Sequence, residues 1–188
     1  MAYSPLPSPE VLRQLLDYNP GTGKLRWKHR GPEWFKDGRC TAQGEANKWN
    51  SIFAGKPALA CLDNYGYPSG TLLNARVRAH RVVWAICNSY WPTMTIDHIN
   101  GDRADNRISN LREVSQSDNC KNTKIPNDNT SGVVGVGWCN TRGKWIAQIG
   151  SLGVRKRLGY FDDKLEAIAV RRAAEKEMGF HPNHGRAT

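Results

Sequence analysis

Thr95-Ile96-Asp97-His98-Ile99-Asn100-Gly101-Asp102 is the stretch of this 188-residue chain around which the rest is organised. Apolar and polar residues alternate through its first half, which predicts a short strand anchored by Ile96 and Ile99. Asp97 and His98 lie between these anchors, so the strand would hold a carboxylate beside an imidazole. That pair offers a hard metal ligand next to a candidate general base.

The residues after this strand predict a second strand and a helix. Residues 110–114, Asn-Leu-Arg-Glu-Val, are expected to return as a strand after a polar turn. Ser115 has the position of an N-cap, which places Asn119 in the first turn of the next helix. An Asp or Asn at any one of these positions would fit ordinary turn or cap chemistry. A strand, a strand and a helix around Asp97, His98 and Asn119 together predict a compact metal site.

In residue type and spacing, the ordered set Asp97-His98, Asn110 and Asn119 resembles the ββα-metal core of the HNH (His-Asn-His) endonucleases. The resemblance covers about residues 65–121. The neighbouring motifs typical of the phage and homing branch of that family are His80-Arg81 and Asp105-Asn106-Arg107.

The resemblance implies a role for each residue of the set. His98 would be the general base that activates water, and Asp97 and Asn119 would bind one divalent cation. Asn110 would bond the backbone of the loop near His98 and fix its orientation. Oxygen ligands favour Mg²⁺ or Mn²⁺ over zinc.

His80 is a second histidine that could be catalytic. It lies near the start of a predicted helix, where a hydrogen-bonded structural histidine is an equal alternative. We prefer His98 as the base because it alone has a carboxylate neighbour and Asn partners at the right spacing. His80 and Arg81 keep a structural or substrate role.

Composition points to a nucleic-acid partner. The net charge is +10, which most often indicates nucleic acid and less often an anionic membrane. No apolar run approaches the roughly 18 residues of a spanning helix, and the N-terminus lacks the features of a secretory signal. We therefore expect no membrane association and a cytoplasmic location in a bacterial or phage-infected host cell.

The five cysteines are scattered and odd in number. No pair has the short spacing of a zinc knuckle, so we expect reduced thiols and no structural zinc.

The region before residue 122 predicts one domain, residues 1–121, with its core at about 65–121. A helix at 8–18 and a strand at 24–28 form a lead-in, and 29–53 are expected to be irregular. The elements predicted next are strands at 58–62, 70–73 and 76–79 and a helix at 80–90.

Residues 122–132 are polar and rich in turn formers, which predicts a linker. Residues 133–179 predict a second domain. Its expected elements are strands at 135–138, 144–149 and 154–158 and a helix from Asp162 or Asp163 to about Met178. Residues 180–188 are expected to be a disordered tail. The fold class is therefore α+β: a ββα-metal core, followed by a three-stranded antiparallel sheet packed on one helix.

The C-terminal segment, about residues 130–178, resembles the DNA-binding domain of the plant apetala-two/ethylene-response-factor family. The matching runs are 131–132, 135–136, 143–149 and 158–162. The resemblance implies that a sheet face contacts double-stranded DNA through Arg142, Lys144, Gln148, Arg155 and Arg157. Val134, Gly137 and Cys139 stand where that family has arginines, so we expect contacts to phosphates more than to bases.

These features predict an endonuclease of the homing or phage-encoded type that nicks or cleaves DNA with one metal ion and a histidine base. A lone core has one active site, so nicking by a monomer is the default expectation. The main alternative is a non-catalytic DNA-binding regulator with a decayed nuclease core. An RNA-binding protein is a weaker third possibility, since a basic sheet also suits RNA.

Overall fold

A computed structural model of the protein describes residues 5–151 and 154–186, and the contacts divide the chain into two compact units. The first unit comprises the residues before 99 together with 102–113. The second comprises 99–101 and the residues from 114 onward. Helices and strands occur in both units, which confirms the α+β class.

The first unit begins with a capped helix. Helix α1 spans Pro9–Leu15, and the hydroxyl of Ser8 accepts a hydrogen bond from the backbone N–H of Val11. Leu12 and Leu15 are fully buried, and burial of such side chains contributes about 1.5–3 kcal/mol each. The chain then enters strand β1 (Leu16–Asn19), which pairs antiparallel with β2 (Lys24–Trp27). Strand β3 (Pro57–Ala58) pairs with β2 on its other edge.

Helix α2 spans Ala42–Phe53, where the sequence predicted irregular structure. That prediction was wrong because the segment contains Gly, Asn and Ser and lacks a clear apolar stripe. Its stability comes from an N-cap, Thr41, and from tertiary aromatic packing. The ring of Trp49 lies 5.7 Å from that of Trp27, and the Arg30 guanidinium lies 4.0 Å from the Trp49 ring. Trp49 therefore packs against side chains from outside its own helix.

A second antiparallel sheet and a helix complete the frame of the first unit. Strands β4 (Cys61–Leu62), β5 (Pro68–Leu72) and β6 (Ala75–Arg78) lie in that order. Helix α3 spans Ala79–Asn88 and buries its apolar face. The fully or nearly fully buried side chains at the centre of this core are Leu12, Leu15, Leu16, Leu72, Val82 and Val83.

The predicted succession of strand, strand and helix appears as β7 (Thr95–His98), β8 (Leu111–Val114) and α4 (Gln116–Cys120). β7 and β8 pair in a two-stranded sheet. Ser115 caps α4 by accepting the backbone N–H of Asp118 at 3.1 Å. Asn110 belongs to a short 3₁₀ turn, Ile108–Asn110, which precedes β8.

The second unit contains a three-stranded antiparallel sheet. Its strands are β9 (Val136–Cys139), β10 (Lys144–Ser151) and β11 (Val154–Phe161), with β10 in the middle. Helix α5 (Lys164–Glu177) packs on this sheet, and Asp163 caps it by accepting the N–H of Leu165. The buried cluster between them contains Val133, Val136, Ala147 and Ala167.

A β-bulge lies in the pairing of β10 with β11. Ala147 pairs with Gly159, whereas the next residue, Gln148, pairs with Arg157, so Leu158 is the extra residue. The bulge places Gln148 opposite Arg157 on the sheet face that does not carry Ala147.

The predicted linker and tail both belong to the second unit. Asn122, in the predicted linker, is 4% exposed. The Arg186 guanidinium donates to the Asn122 carbonyl and side-chain oxygens at 2.9 Å each. Gly185 N–H donates to the Thr123 carbonyl at 2.8 Å. Residues 181–186 are therefore held by hydrogen bonds, in contrast to the predicted disordered tail. Residues 187–188 of that predicted tail and residues 152–153, between β10 and β11 in the sequence, lie outside the described residues.

None of the helices found within residues 5–151 and 154–186 has the length and apolarity needed to cross a membrane. All five cysteines are free thiols.

Gly135 requires the absence of a side chain for two reasons. Its φ is +79°, and a Cβ there would overlap the carbonyl oxygen of Gln148. Gly132 also has φ +79°, but a Cβ there would meet nothing within 4 Å. An alanine at Gly132 would therefore incur backbone strain alone, whereas an alanine at Gly135 would incur the same strain and a steric overlap.

We expect Gly135→Ala to destabilise the second unit more than Gly132→Ala does. Both variants incur the strain of a left-handed alanine, about 1–2 kcal/mol, but only Gly135→Ala also displaces the backbone of β10. Hydrogen exchange of the β10 amides measures the difference. An equal decrease of protection in the two variants would contradict the predicted overlap.

α3 also buries a histidine. His80 is 4% exposed, and its Nδ1 atom has no hydrogen-bond partner among the described residues. Burial, together with the nearby His98, Arg78 and Arg81, lowers the pKa of His80 to about 3, and Asp63 partly opposes this shift. His80 is therefore neutral at physiological pH.

The depressed pKa makes His80 a source of acid sensitivity. The unfolded chain takes up a proton on this residue near its ordinary pKa of about 6.5, and the folded chain does so only near 3. Stability is thus full above the ordinary pKa and falls as pH drops towards 3, by up to about 1.4 kcal/mol per pH unit.

We expect His80→Leu to flatten the dependence of unfolding free energy on pH between 6.5 and 4, as measured by urea unfolding. The readout is the slope, so a general loss of stability in the variant does not obscure it. His29→Leu at an exposed position is the control. A slope unchanged by His80→Leu would refute this account.

Candidate nuclease site

Strand β7 buries the two residues that the sequence singled out. Asp97 is 8% exposed and His98 is 3% exposed. The Nε2 atom of His98 lies 3.0 Å from the side-chain oxygen of Asn106. An amide oxygen only accepts hydrogen bonds, so this contact assigns the imidazole proton to Nε2. Nδ1 is then the nitrogen that can take up a proton.

The environment keeps this imidazole neutral. Burial lowers the pKa of His98 below its ordinary value, and the hydrogen bond to Asn106 and the charges of Asp97, Asp102 and Asp105 oppose that shift. A neutral histidine with a fixed tautomer has the state that a general base requires.

The loop that carries Asn106 is held from two sides. Asn110 donates from Nδ2 to the carbonyl of Asp105 at 2.8 Å. The hydroxyl of Tyr18, in β1, donates to the Asn106 carbonyl at 3.1 Å and accepts from Ile108 N–H at 2.9 Å. Hydrogen bonds thus hold both ends of the short segment that contains Asn106.

Gly23 lets the β1–β2 hairpin reach this loop. A Cβ at Gly23 would lie 2.5 Å from the backbone nitrogen of Arg107. The hairpin therefore packs directly on the loop backbone. No local pattern in the sequence identifies Asn106, Tyr18 or Gly23 as functional. Only the Asp105-Asn106-Arg107 motif offered a signal, and it did not specify the contact with His98.

Asp97 is oriented by Arg112, which sequence reasoning also missed. Arg112 in β8 donates from Nε and Nη2 to Oδ2 of Asp97 at 2.9 and 2.7 Å. Only the pairing of β7 with β8 brings these residues together. The ion pair fixes the rotamer of Asp97 and offsets the cost of burying its charge.

His80 and Arg81 have different surroundings. The His80 ring lies 5.2 Å from that of His98 in an edge-to-face arrangement. Arg81 donates to the carbonyls of Pro92 and Met94 at 2.8 and 3.3 Å. Arg81 therefore stabilises the segment that leads into β7.

Asn119 lies in α4 and belongs to the second unit, whereas Asp97, His98 and Asn110 belong to the first. Its N–H donates to the Ser115 carbonyl at 3.0 Å within the helix. Across residues 5–151 and 154–186, no group of three or more His, Cys, Asp and Glu side chains could hold a metal ion.

The proposed donor set can be tested against the chemistry of candidate ions. Asp97 supplies a carboxylate that Arg112 already orients, and Asn119 supplies an amide oxygen. Mg²⁺ and Mn²⁺ accept such oxygen donors and complete their coordination with water and substrate phosphate. A structural zinc requires four protein ligands, usually Cys and His. In donor chemistry alone, such oxygen ligands would suit a divalent ion of the Mg²⁺ type better than zinc.

The outer face of the C-terminal sheet brings together most of the residues predicted to bind DNA. The guanidinium groups of Arg142 and Arg157 lie 4.4 and 5.2 Å from the ring of Tyr160. Gln148 pairs with Arg157 across the strands. Arg155 is exposed near the end of the sheet.

Lys144 differs from the other predicted DNA-binding residues. Its Nζ lies 2.9 Å from Oδ2 of Asp162, so its charge is already paired. Both side chains are exposed, and such a pair is weak.

Comparisons with known proteins support the nuclease interpretation of the central region. A family model described as HNH endonuclease matches residues 77–121. This match ends before residues 130–178, so the resemblance of that segment to the apetala-two family stays a prediction. No solved structure matched the chain.

A curated relative extends the similarity beyond this motif. Protein 3.8 of Escherichia phage T7 is 35% identical over 93 residues, which cover 49% of this chain and 76% of the relative. The chain thus belongs to the same family as this phage protein, and it carries an HNH endonuclease domain at residues 77–121.

Proposed function

We propose that the protein is a DNA endonuclease that hydrolyses phosphodiester bonds with His98 as general base and one divalent cation. The observation that carries this proposal is the buried His98, whose Nε2 is engaged by Asn106. That contact leaves Nδ1 as the basic nitrogen in a strand that also supplies a carboxylate. The HNH domain match independently supports nuclease chemistry.

In the proposed mechanism, His98 takes a proton from a water molecule that attacks the scissile phosphate in line with the leaving oxygen. Asn106 holds the imidazole in the required tautomer, and Asn110 and Tyr18 hold the loop that carries Asn106. Asp97 and Asn119 would be the protein ligands of the cation. When bound, a divalent cation neutralises developing negative charge on the phosphate and on the leaving 3′ oxygen. The family resemblance implies products with 5′-phosphate and 3′-hydroxyl ends.

The proposed substrate is double-stranded DNA, and the proposed second contact is the outer face of the C-terminal sheet. Arg142 and Arg157 are suited to phosphate contacts because their guanidinium groups lie against the Tyr160 ring and keep their charge. Such contacts give affinity and salt dependence more than sequence choice.

The one active site proposed for each chain makes nicking by a monomer the expected outcome. The family relationship to a phage protein supports action in the cytoplasm of an infected bacterial cell, with the homing-type enzyme as the more specific form of the proposal. A non-catalytic regulator is the alternative that the following experiment distinguishes.

We expect the wild-type protein to nick supercoiled plasmid in the presence of Mg²⁺ or Mn²⁺. His98→Ala should lower the nicking rate by about 10²–10⁴-fold, because it removes the general base. Asn119→Ala should instead raise the Mn²⁺ concentration needed for half-maximal rate. His29→Ala, at an exposed position, is the matched control.

Duplex binding by gel shift accompanies each rate measurement. If the wild type binds duplex DNA but nicks neither plasmid nor DNA from the source genome, the nuclease proposal is wrong and the protein is a non-catalytic DNA-binding regulator. If His98→Ala nicks as fast as wild type, His98 is not the base.

The sheet face predicts a specific salt dependence. We expect the double variant Arg142→Gln, Arg157→Gln to reduce the slope of log affinity against log salt by about 0.9 for each phosphate that is no longer neutralised. Lys176→Gln also removes a positive charge, but Lys176 lies on α5, which packs on the face of the sheet opposite to the proposed DNA contact. It should leave the slope nearly unchanged. Equal slopes in all three proteins would refute the proposed DNA contact.

A further inference from the structure

The turn between β4 and β5 is rigid and carries two tyrosines. Asp63 Oδ1 accepts the backbone N–H groups of Tyr65 and Tyr67 at 2.9 Å each. Its other oxygen accepts from Nε of Arg78 at 2.8 Å. One carboxylate therefore fixes the turn and ties it to β6.

Two arginines lie against the tyrosine rings. The Arg78 guanidinium lies 4.6 Å from the Tyr67 ring and 5.7 Å from the Tyr65 ring. The Arg103 guanidinium lies 5.0 Å from the Tyr67 ring, and its Nη1 donates to the Tyr65 carbonyl at 2.5 Å. We call Tyr65, Tyr67, Arg78 and Arg103 the tyrosine–arginine platform.

The platform is open to solvent and carries unneutralised charge. Tyr65 is 67% exposed, so its ring contributes little to the core. Arg78 is paired with Asp63. Arg103 is exposed and, in the part of the chain that the structure describes, forms no ion pair with a carboxylate. An exposed aromatic ring beside an uncompensated guanidinium is the combination that binds nucleic-acid strands.

The platform adjoins the proposed general base within the first unit. The Tyr67 ring lies 6.0 Å from that of His98 and 5.1 Å from that of His80. Successive bases along one strand of a duplex are about 3.4 Å apart, so 6.0 Å corresponds to one or two nucleotide steps. A strand whose phosphate lies at His98 would therefore have Tyr67 within one or two nucleotides, and Tyr65 lies on the other side of the Arg78 guanidinium that both rings contact.

We propose that the tyrosine–arginine platform binds the DNA strand beside the scissile phosphate. Arg78 and Arg103 contact phosphates, and Tyr65 stacks on a base that has left the duplex. An unpaired base is required because a ring can stack only on an exposed base face, and bases inside a duplex are already stacked. The inference rests on the proposed nuclease function, since it takes the strand at His98 to be the substrate.

The test measures binding without cleavage. The full chain carries His98→Ala and is kept in EDTA. Its binding is compared on a short duplex with one unpaired 2-aminopurine and on the fully paired duplex. We expect Tyr65→Leu to weaken binding of the unpaired-base duplex by about 5- to 150-fold, the equivalent of one stacked base at about 1–3 kcal/mol. The paired duplex should change much less, and Tyr65→Phe should retain binding and the fluorescence quenching of 2-aminopurine.

Charge is tested separately. Arg103→Gln should weaken both duplexes and lower the salt slope by about 0.9. Arg39→Gln, which removes the same charge from an exposed loop position of the first unit, should do neither.

Three outcomes would overturn the proposal. If Tyr65→Leu binds the unpaired-base duplex as tightly as the protein with Tyr65, Tyr65 does not stack on a base. If Tyr65→Leu weakens binding of both duplexes equally, the platform contacts phosphates only. Tighter binding of the matching RNA than of DNA assigns the surface to RNA. Plasmid nicking by the wild type is measured independently. If the platform variants show no effect on binding while the wild type nicks plasmid, the platform proposal is wrong and the nuclease function stands. Platform binding without nicking contradicts the nuclease function and the position beside a scissile phosphate, and leaves the platform as a binding site for an unpaired base.

Discussion

The hydrogen bond between Nε2 of His98 and the side-chain oxygen of Asn106 is the contact on which the proposed chemistry depends. A buried imidazole without a fixed partner would have no defined tautomer, and either nitrogen could carry the proton. Asn106 removes that ambiguity only if its own loop is immobile. Tyr18 and Asn110 supply the restraint by bonding the loop backbone on both sides. The N-terminal hairpin thus acts on the site through the loop that carries Asn106.

Local patterns in the sequence predicted the parts of the site that depend on neighbouring residues. The alternation around Ile96 gave β7, and Ser115 gave the start of α4. Asn106 and Tyr18 could not be assigned in the same way, because their partners are eight and 88 residues away. Arg112 depends on the pairing of β7 with β8, which a single sequence does not encode as a local signal. Tyr18, Gly23 and Arg112 were missed because their partners are distant in sequence or on another strand, and Asn106 because its partner lies across a loop.

The same reasoning explains the differences in fold. Helix α2 has weak intrinsic propensity and is stabilised by rings from outside the helix, so its own residues gave no clear period. The segment at 122–132 has the composition of a linker but pairs with the chain terminus through Asn122 and Arg186. Polar residues predict a loop correctly, yet they do not reveal whether the loop is exposed or is held by another segment.

Both proposed DNA contacts place arginine guanidinium groups against a tyrosine ring. In the second unit Arg142 and Arg157 lie on Tyr160, and in the first unit Arg78 and Arg103 lie on Tyr67. Each such contact contributes only about 0.5–1 kcal/mol at an exposed site, so stability is a weak reason for it. Stacking on an aromatic ring limits the rotamers of the guanidinium but leaves its charge in place. Less conformational entropy is then lost when a phosphate binds, and the same positive charge gives higher affinity than it would on a freely rotating lysine.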